Sequence, residues 1–199
     1  MNSMEIPTQY TKSWFVRNIL LWKTLLVPLA TYPIRALEIG VFEGMSTTWL
    51  QENVLTHPDS CSTWVDPFCF AREYETSDID FPSVKERFLH NTERFASAGK
   101  LSGHVGKSGD VLRKLDAAKK FDLIYIDGSH EAADCLEDMV LAWPLLETNG
   151  LMGVDDYLWE MFPDEPTRHP ALAIDAFLAV MSGRYREVHR GYQVWIQKL

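Results

Sequence analysis

The sequence predicts a three-layer α/β/α sandwich whose central sheet is mostly parallel, with an antiparallel hairpin at one edge. Short apolar runs alternate with stretches of helical periodicity, the pattern of strands joined by right-handed crossovers. Several of those runs stop at glycine or an acid: Glu38/Gly40, Asp66, Asp127 and Asp155/Asp156. The last two runs are separated by Arg190-Gly191, a turn short enough to force an antiparallel pair.

Within residues 1–31, Ser13 to Ala30 reads SWFVRNILLWKTLLVPLA and is expected to be a helical segment. Arg17, Asn18, Lys23 and Pro28 interrupt it, and the uncharged stretches are shorter than the ~20 apolar residues a bilayer requires. A helix buried in the protein, or packed against a second copy in a homodimer, is expected, and a membrane span is not. Ile34–Ile39 is the first strand and Gly44–Leu55 the helix after it, broken by His57-Pro58-Asp59-Ser60. Ser62–Val65 is the second strand. Residues 68–82 are aromatic, acidic and irregular, and suit a lid or substrate loop. Ser83–Ala98 places Val84, Phe88, Leu89 and Phe95 near one helical face.

Leu101–Val105 is the third strand, leading through Gly106-Lys107-Ser108-Gly109 into a helix at Asp110–Ala118. Phe121–Ile126 is the fourth. Glu131–Glu147 is expected to be helical with Pro144 distorting its last turn. Thr148-Asn149-Gly150 then turns into a fifth strand, Leu151–Val154. A helix over Ala171–Met181 precedes Tyr185–His189 and Tyr192–Gln197, which bring the sheet to seven strands. In such sheets ligands sit beyond the carboxyl ends of the strands, where the strand order reverses.

Composition narrows the function. With 199 residues, 46% of them apolar and 24% charged, the chain is an ordinary folded domain over 1–199. Its 19 basic and 28 acidic residues give a net charge of −9, which disfavours a nucleic-acid partner. Cys61, Cys69 and Cys135 lack CxxC spacing and are expected to be small buried residues; with no recognisable signal peptide, a cytoplasmic location is expected. No HExxH spacing suggests zinc.

The turn after the first strand, Glu38-Ile39-Gly40-Val41-Phe42-Glu43-Gly44, reads ExGxxxG. Phenylalanine at position 42 breaks the GxGxxG dinucleotide fingerprint, and GxxxxGK[ST] is missing as well. By itself the turn fits either a tight strand-to-helix connection or a ligand cradle. Downstream, Trp64-Val65-Asp66-Pro67 puts a carboxylate at the second strand end, able to accept hydrogen bonds from ribose hydroxyls. Asp127, Asp155 and Asp156 end neighbouring strands. Carboxylates that close cannot all stay ionised unless a hard cation joins them, although Asp156 could equally cap the next segment.

These segments, with Phe121-Asp122-Leu123-Ile124-Tyr125-Ile126-Asp127-Gly128-Ser129-His130, Pro144-Leu145-Leu146, Asn149-Gly150 and Val154-Asp155-Asp156-Tyr157, resemble class I S-adenosylmethionine-dependent methyltransferases. The resemblance is to the small branch of macrocin-type sugar O-methyltransferases and cephalosporin-hydroxylase-like proteins, and it covers roughly Arg35 to Tyr157. It implies a Rossmann-like fold and S-adenosylmethionine as cofactor. Glu38, Gly40, Phe42, Gly44, Ser46, Asp66, Pro67, Ser108 and Asp127 would meet that cofactor, and Asp127, Asp155 and Asp156 would hold Mg²⁺ against the acceptor's vicinal hydroxyls. Asp127 and His130 would be catalytic. Ser129 stands where the family has an acid after its DG pair, and His130 is the natural substitute as base, or else caps the helix beginning at Glu131. Trp159 could line the acceptor pocket, whereas Trp14, Trp22 and Trp49 fit helix packing. The expected reaction is methyl transfer to a hydroxyl of a small acceptor, a sugar or phenol. A metal-free enzyme acting on nitrogen or a larger partner, and a non-catalytic binder of the cofactor, are the alternatives. The residues before Tyr32 and the 68–82 loop carry no motif of this resemblance, and acceptor choice usually resides in such segments.

Overall fold

The computed structural model describes residues 7–69 and 79–199. Most of the expected 68–82 loop lies outside the described residues. Strands β1 (Arg35–Ile39), β2 (Cys61–Asp66), β3 (Leu101–Val105), β4 (Phe121–Ile126), β5 (Leu146–Val154), β6 (Tyr185–Arg190) and β7 (Val194–Lys198) form one sheet in the order β3-β2-β1-β4-β5-β7-β6. The first five are mutually parallel; β7 runs antiparallel to both β5 and β6. The order reverses between β1 and β4.

Alternation along β4 shows why the sheet is covered on both sides. Ile124 and Ile126 pack with Met139, Ala142, Ile174 and Phe177 of helices α5 (Ala132–Ala142) and α6 (Pro170–Val180). Leu123 and Tyr125 point the other way, against Trp22, Leu26, Leu50 and Trp195. That second layer comes from the N-terminal segment and helix α2 (Met45–Asn53); α3 (Phe81–Ser97) closes over β2 and β3 through Phe88 on Trp64 and Val41.

Several boundaries differ from expectation. The N-terminal segment is not one helix but a 3-10 turn (Trp14–Asn18), the short helix α1 (Ile19–Leu25) and a second 3-10 turn (Val27–Thr31) containing Pro28. It buries Trp22 and Leu26 completely in its own chain and turns Val16 and Leu20 outward. Among the described residues no helix is long and apolar enough to cross a membrane. Helix α4 is only Ser108–Leu112, not a run to Ala118. The helix expected to reach Glu147 stops at Ala142, a 3-10 turn over Trp143–Leu145 holds Pro144, and β5 already begins at Leu146. Thr148-Asn149-Gly150 is therefore inside β5; Asn149 takes a left-handed φ of 68°, and the pairing with β4 shifts register there. Of the cysteines only Cys135 is buried, its thiol pushed up to about 12 by burial; Cys61 is half-buried and Cys69 exposed.

Candidate active site

Sheet register builds the site. Ile39 of β1 pairs with Val65 of β2 and Ile126 of β4, and Ile126 pairs with Val154 of β5. The next residue on each strand is Gly40, Asp66, Asp127 and Asp155, so these four stand in a row at the carboxyl edge. Backbone bonds lock the row: Gly40 N–H to the Val65 carbonyl (2.9 Å), Asp127 N–H to Ile39 (2.8 Å), Asp155 N–H to Ile126 (2.9 Å).

Gly40, at φ 79°, packs so closely on β4 that a Cβ there would overlap the Asp127 carbonyl oxygen. Gly44, at φ 83°, starts α2 with Phe88 against it. Between them the loop is tied to Asp66, whose Oδ2 accepts from the Val41 N–H (2.8 Å) and Phe42 N–H (3.3 Å) and whose Oδ1 accepts from the Phe68 N–H (2.6 Å). Burial outweighs these bonds and raises the Asp66 pKa. A carboxylate has about four acceptor positions. Three are occupied, so one ribose hydroxyl can join without breaking the loop, and a second would displace the longest bond.

Glu38 lies beneath the loop rather than in a cavity wall. Its oxygens accept from the Ser46 hydroxyl and from Thr47 Oγ1 (2.6 Å), which joins β1 to the first turn of α2. Burial pushes its carboxyl from 4.5 up to about 7 despite those bonds. A carboxyl raised in the folded state stays protonated where the unfolded chain has already ionised, so its contribution to stability falls as pH rises from about 4.5 to about 7, by roughly 3 kcal/mol. Glu38→Gln is therefore expected to flatten part of the stability loss between pH 4.5 and 8. Denaturant melts across that range check this, and an unchanged slope would count against it.

Three cavities meet at Asp127. One of about 160 Å³ runs over Gly40, Phe42, Asp66, Pro67, Phe68, Ser108 and Gly128. A second, about 70 Å³, lies over Gly40–Glu43, Met45 and Ser46 under Lys12, Trp14 and Phe15. The third, about 250 Å³, is walled by Trp14, Arg17, Asn18, His130, Asp155, Asp156, Trp159 and Tyr192. Asp127 lines all three. Ser108, at the start of α4, faces Asp138 of α5, whose carboxyl burial pushes up to about 7 although that hydroxyl opposes the shift.

The three strand-end acids are held by neighbouring donors, Asp127 and Asp155 sharing the Tyr125 hydroxyl. Asp155 Oδ2 accepts from the Tyr125 hydroxyl, from Gln193 Nε2 (2.8 Å) and from Asn18 Nδ2 (3.2 Å), and its Oδ1 accepts from the Asp156 N–H (2.8 Å). Gln193 Oε1 in turn accepts from the indole N–H groups of Trp22 (2.8 Å) and Trp195 (3.0 Å). Burial and then Asp156 push Asp155 up to about 6. Asp156 adopts φ 60°, which turns its Oδ2 to within 2.9 Å of His130 Nε2. Burial acts against that carboxylate, but His130, Tyr192 and Arg17 together hold its pKa below the ordinary value. Asp127, pushed well up by burial and then by Asp155 and Asp156, receives the Tyr125 hydroxyl at 3.2 Å.

Among the described residues, with these partners in place, no group of three or more His, Cys, Asp or Glu side chains is placed to hold a metal ion. The residues present do fit a nucleoside ligand, with a carboxylate, a backbone at Gly40 stripped of side chain, and aromatic walls.

Of the expected site residues, the row assembles Gly40, Asp66, Asp127 and Asp155, Asp156 follows it, and Phe42, Ser46, Pro67, Ser108, His130 and Trp159 all reach cavity walls. Trp14, expected in helix packing, is 45% exposed, its ring centroid 5.0 Å from that of Phe42 and tilted by 38°. Sequence reasoning missed Asn18, Tyr125, Gln193 and Glu43. Glu43 is 1% exposed and anchors the N-terminal segment, accepting from the Thr11 N–H and hydroxyl (2.6 Å each) and from Arg87 Nε (2.6 Å). A buried acid between two loop glycines was its only signal.

Residues 37–157 match the family described as Methyltransferase domain. That span is more than half of the chain, and the chain belongs to the family. Fold and site together define an S-adenosylmethionine-dependent methyltransferase. Among solved structures, the O-methyltransferase TomG from Streptomyces achromogenes, involved in tomaymycin synthesis and in complex with SAM, aligns with a TM-score of 0.63 and 22% identity, covering 90% of this chain and 77% of that one. An O-methyltransferase from Bacillus cereus in complex with SAH gives 0.64 and 17% over 96% and 83%. CalS11, a TDP-rhamnose 3'-O-methyltransferase of calicheamicin biosynthesis, gives 0.61 and 16% over 91% and 81%. At these identities the likeness establishes the fold. No curated protein sequence matches the chain.

Proposed function

We propose that the protein transfers a methyl group from S-adenosylmethionine to a hydroxyl oxygen of a small acceptor, a phenol or a sugar. The observation that carries this is the meeting of a cavity over Asp66, lined by Gly40, Phe42 and Phe68, with a second cavity holding His130 and Asp156, Asp127 standing on the boundary. S-adenosylmethionine, when bound, supplies an electrophilic methyl on a sulfonium. The loop from Gly40 to Gly44 and the Asp66 carboxylate hold the adenosine end, and Trp14 and Phe42 exclude water from the boundary. In this reading His130 takes the hydroxyl proton, and Asp156 orients the ring and stabilises the imidazolium. With Nε2 turned to Asp156, the receiving atom is Nδ1. That atom is buried, so the acceptor reaches it only after a shift of the ring or of Trp159, whose ring lies 4.4 Å away.

Divalent-metal assistance through Asp127, Asp155 and Asp156 is the second reading, favoured by three carboxylates within electrostatic reach of one another. It requires Asp155 to release Tyr125 and Gln193, and Asp156 to release His130.

The test is direct: S-adenosylhomocysteine formation, read by mass spectrometry, across a panel of phenols, catechols and nucleotide sugars. Asp66→Ala is expected to weaken S-adenosylhomocysteine binding by about 1–3 kcal/mol in calorimetry, from the lost ribose contact and the loosened loop. Heat from NADH with none from S-adenosylmethionine or its demethylated product would overturn the reading.

A further inference from the structure

The segment before α1 is fastened to the glycine loop at successive residues. Gln9 exchanges backbone bonds with Asn91 (2.7 and 3.0 Å), and Asn91 Nδ2 also donates to the Glu43 carbonyl (2.8 Å). The Tyr10 hydroxyl meets Thr48 Oγ1 at 2.7 Å, and Thr11 gives both its N–H and its hydroxyl to buried Glu43. So many long-range bonds on three residues hold a strap in one place. The residue they deliver next is Lys12, on the wall shared by the 70 Å³ and 250 Å³ cavities.

The smaller cavity continues the adenosine cavity past Gly40 and ends at Met45 and Ser46, the first turn of α2. Its ionisable lining is Lys12, Glu43 and Asp127, and Glu43 is already committed to Thr11 and Arg87. Whatever extends from the ribose into this space meets Lys12, a cation with no ion-pair partner among the described residues. Opposite lies a nine-residue helix whose first amides have no acceptor within the helix. An anionic group matches both.

We propose that Lys12 binds the α-carboxylate of the methionine portion of the cofactor, so that the N-terminal strap, which lies outside the matched family region, completes the cofactor site. This rests on the S-adenosylmethionine reading above. The strap would then order on two sides at once, tied by Glu43 beneath and by the cofactor carboxylate above. Its neighbours Trp14, Arg17 and Asn18 form the acceptor cavity wall, so cofactor binding would also complete the acceptor cavity.

The experiment compares S-adenosylhomocysteine with its decarboxylated analogue, which keeps adenosine, sulfur and amine, by calorimetry on wild type, Lys12→Gln and Lys12→Arg. Wild type is expected to bind the carboxylated ligand about tenfold or more tightly than the analogue. Lys12→Gln is expected to lose that preference by weakening only the carboxylated ligand, and Lys12→Arg to retain most of it. Equal affinity of wild type and Lys12→Gln for S-adenosylhomocysteine would overturn the proposal, as would a variant that weakens both ligands alike. Failure of wild type to bind either ligand would overturn the cofactor reading itself.

Discussion

Gly40→Ala is expected to destabilise the protein by about 3–5 kcal/mol and to abolish cofactor binding. A side chain at φ 79° costs roughly 1–2 kcal/mol by itself. The larger part is steric: the added Cβ would overlap the Asp127 carbonyl oxygen and lie 2.9 Å from Gly128 Cα. Those are backbone atoms of the neighbouring strand end, and no rotamer change relieves them. Nor can Gly40 retreat, since its N–H is bonded to the Val65 carbonyl at 2.9 Å on the other side. Relief requires β1 and β4 to part at the point where all three cavities meet. For a chain of this length the melting temperature should fall by roughly 10 °C. Thermal melts and S-adenosylhomocysteine calorimetry check both parts. A variant that melts near wild type and binds normally would show that the strand ends tolerate separation, and the account of the row would be wrong.

That row explains why so much of the site was legible. Each strand of a parallel sheet ends at the same edge, so a residue that terminates an apolar run is placed by register alone. Gly40, Asp66, Asp127 and Asp155 needed no knowledge of side-chain contacts to be brought together. The residues that escaped notice have roles set only by distant partners. Gln193 sits 38 residues from Asp155 and looks like an ordinary polar position in a hairpin, yet it is 1% exposed and satisfies Asp155, Tyr125, Trp22 and Trp195 at once. In the sequence Asn18 reads as an interruption of an apolar helix; in the fold its amide reaches Asp155 across 137 residues. The same limit hid how the three acids are held. Carboxylates at adjacent strand ends were visible, but the hydroxyl, amide and imidazole donors that divide them were not. The early start of β5 was hidden for a local reason, because Thr148-Asn149-Gly150 carries turn chemistry that the strand absorbs as an irregularity, with Gln197 Nε2 bonding the Asn149 carbonyl at 2.9 Å.

His130→Ala is expected to lower kcat by about 10²–10⁴ on whichever acceptor the wild type turns over, with S-adenosylhomocysteine affinity near wild type. The separation of effects follows from placement. His130 lines the 250 Å³ cavity and not the 160 Å³ or 70 Å³ ones, so its loss leaves the adenosine contacts alone. What the substitution removes is a ring fixed by Asp156 at 2.9 Å and by Trp159, and with it the stabilisation of the proton leaving the acceptor. Asp156 then loses its imidazole hydrogen-bond partner while remaining buried, so stability should also fall modestly, which a melt will register separately from turnover. Single-turnover rates with saturating cofactor, in EDTA and again in excess Mg²⁺, make the comparison decisive. A deep loss that Mg²⁺ does not repair assigns proton removal to His130. Near-normal turnover of His130→Ala in EDTA would move the base to Asp127, the acid that lines both the adenosine cavity and the acceptor cavity. Turnover that both proteins show only with Mg²⁺ would mean that Asp155 and Asp156 exchange their present partners for an ion, and that the acceptor hydroxyl is acidified by the metal rather than by an imidazole.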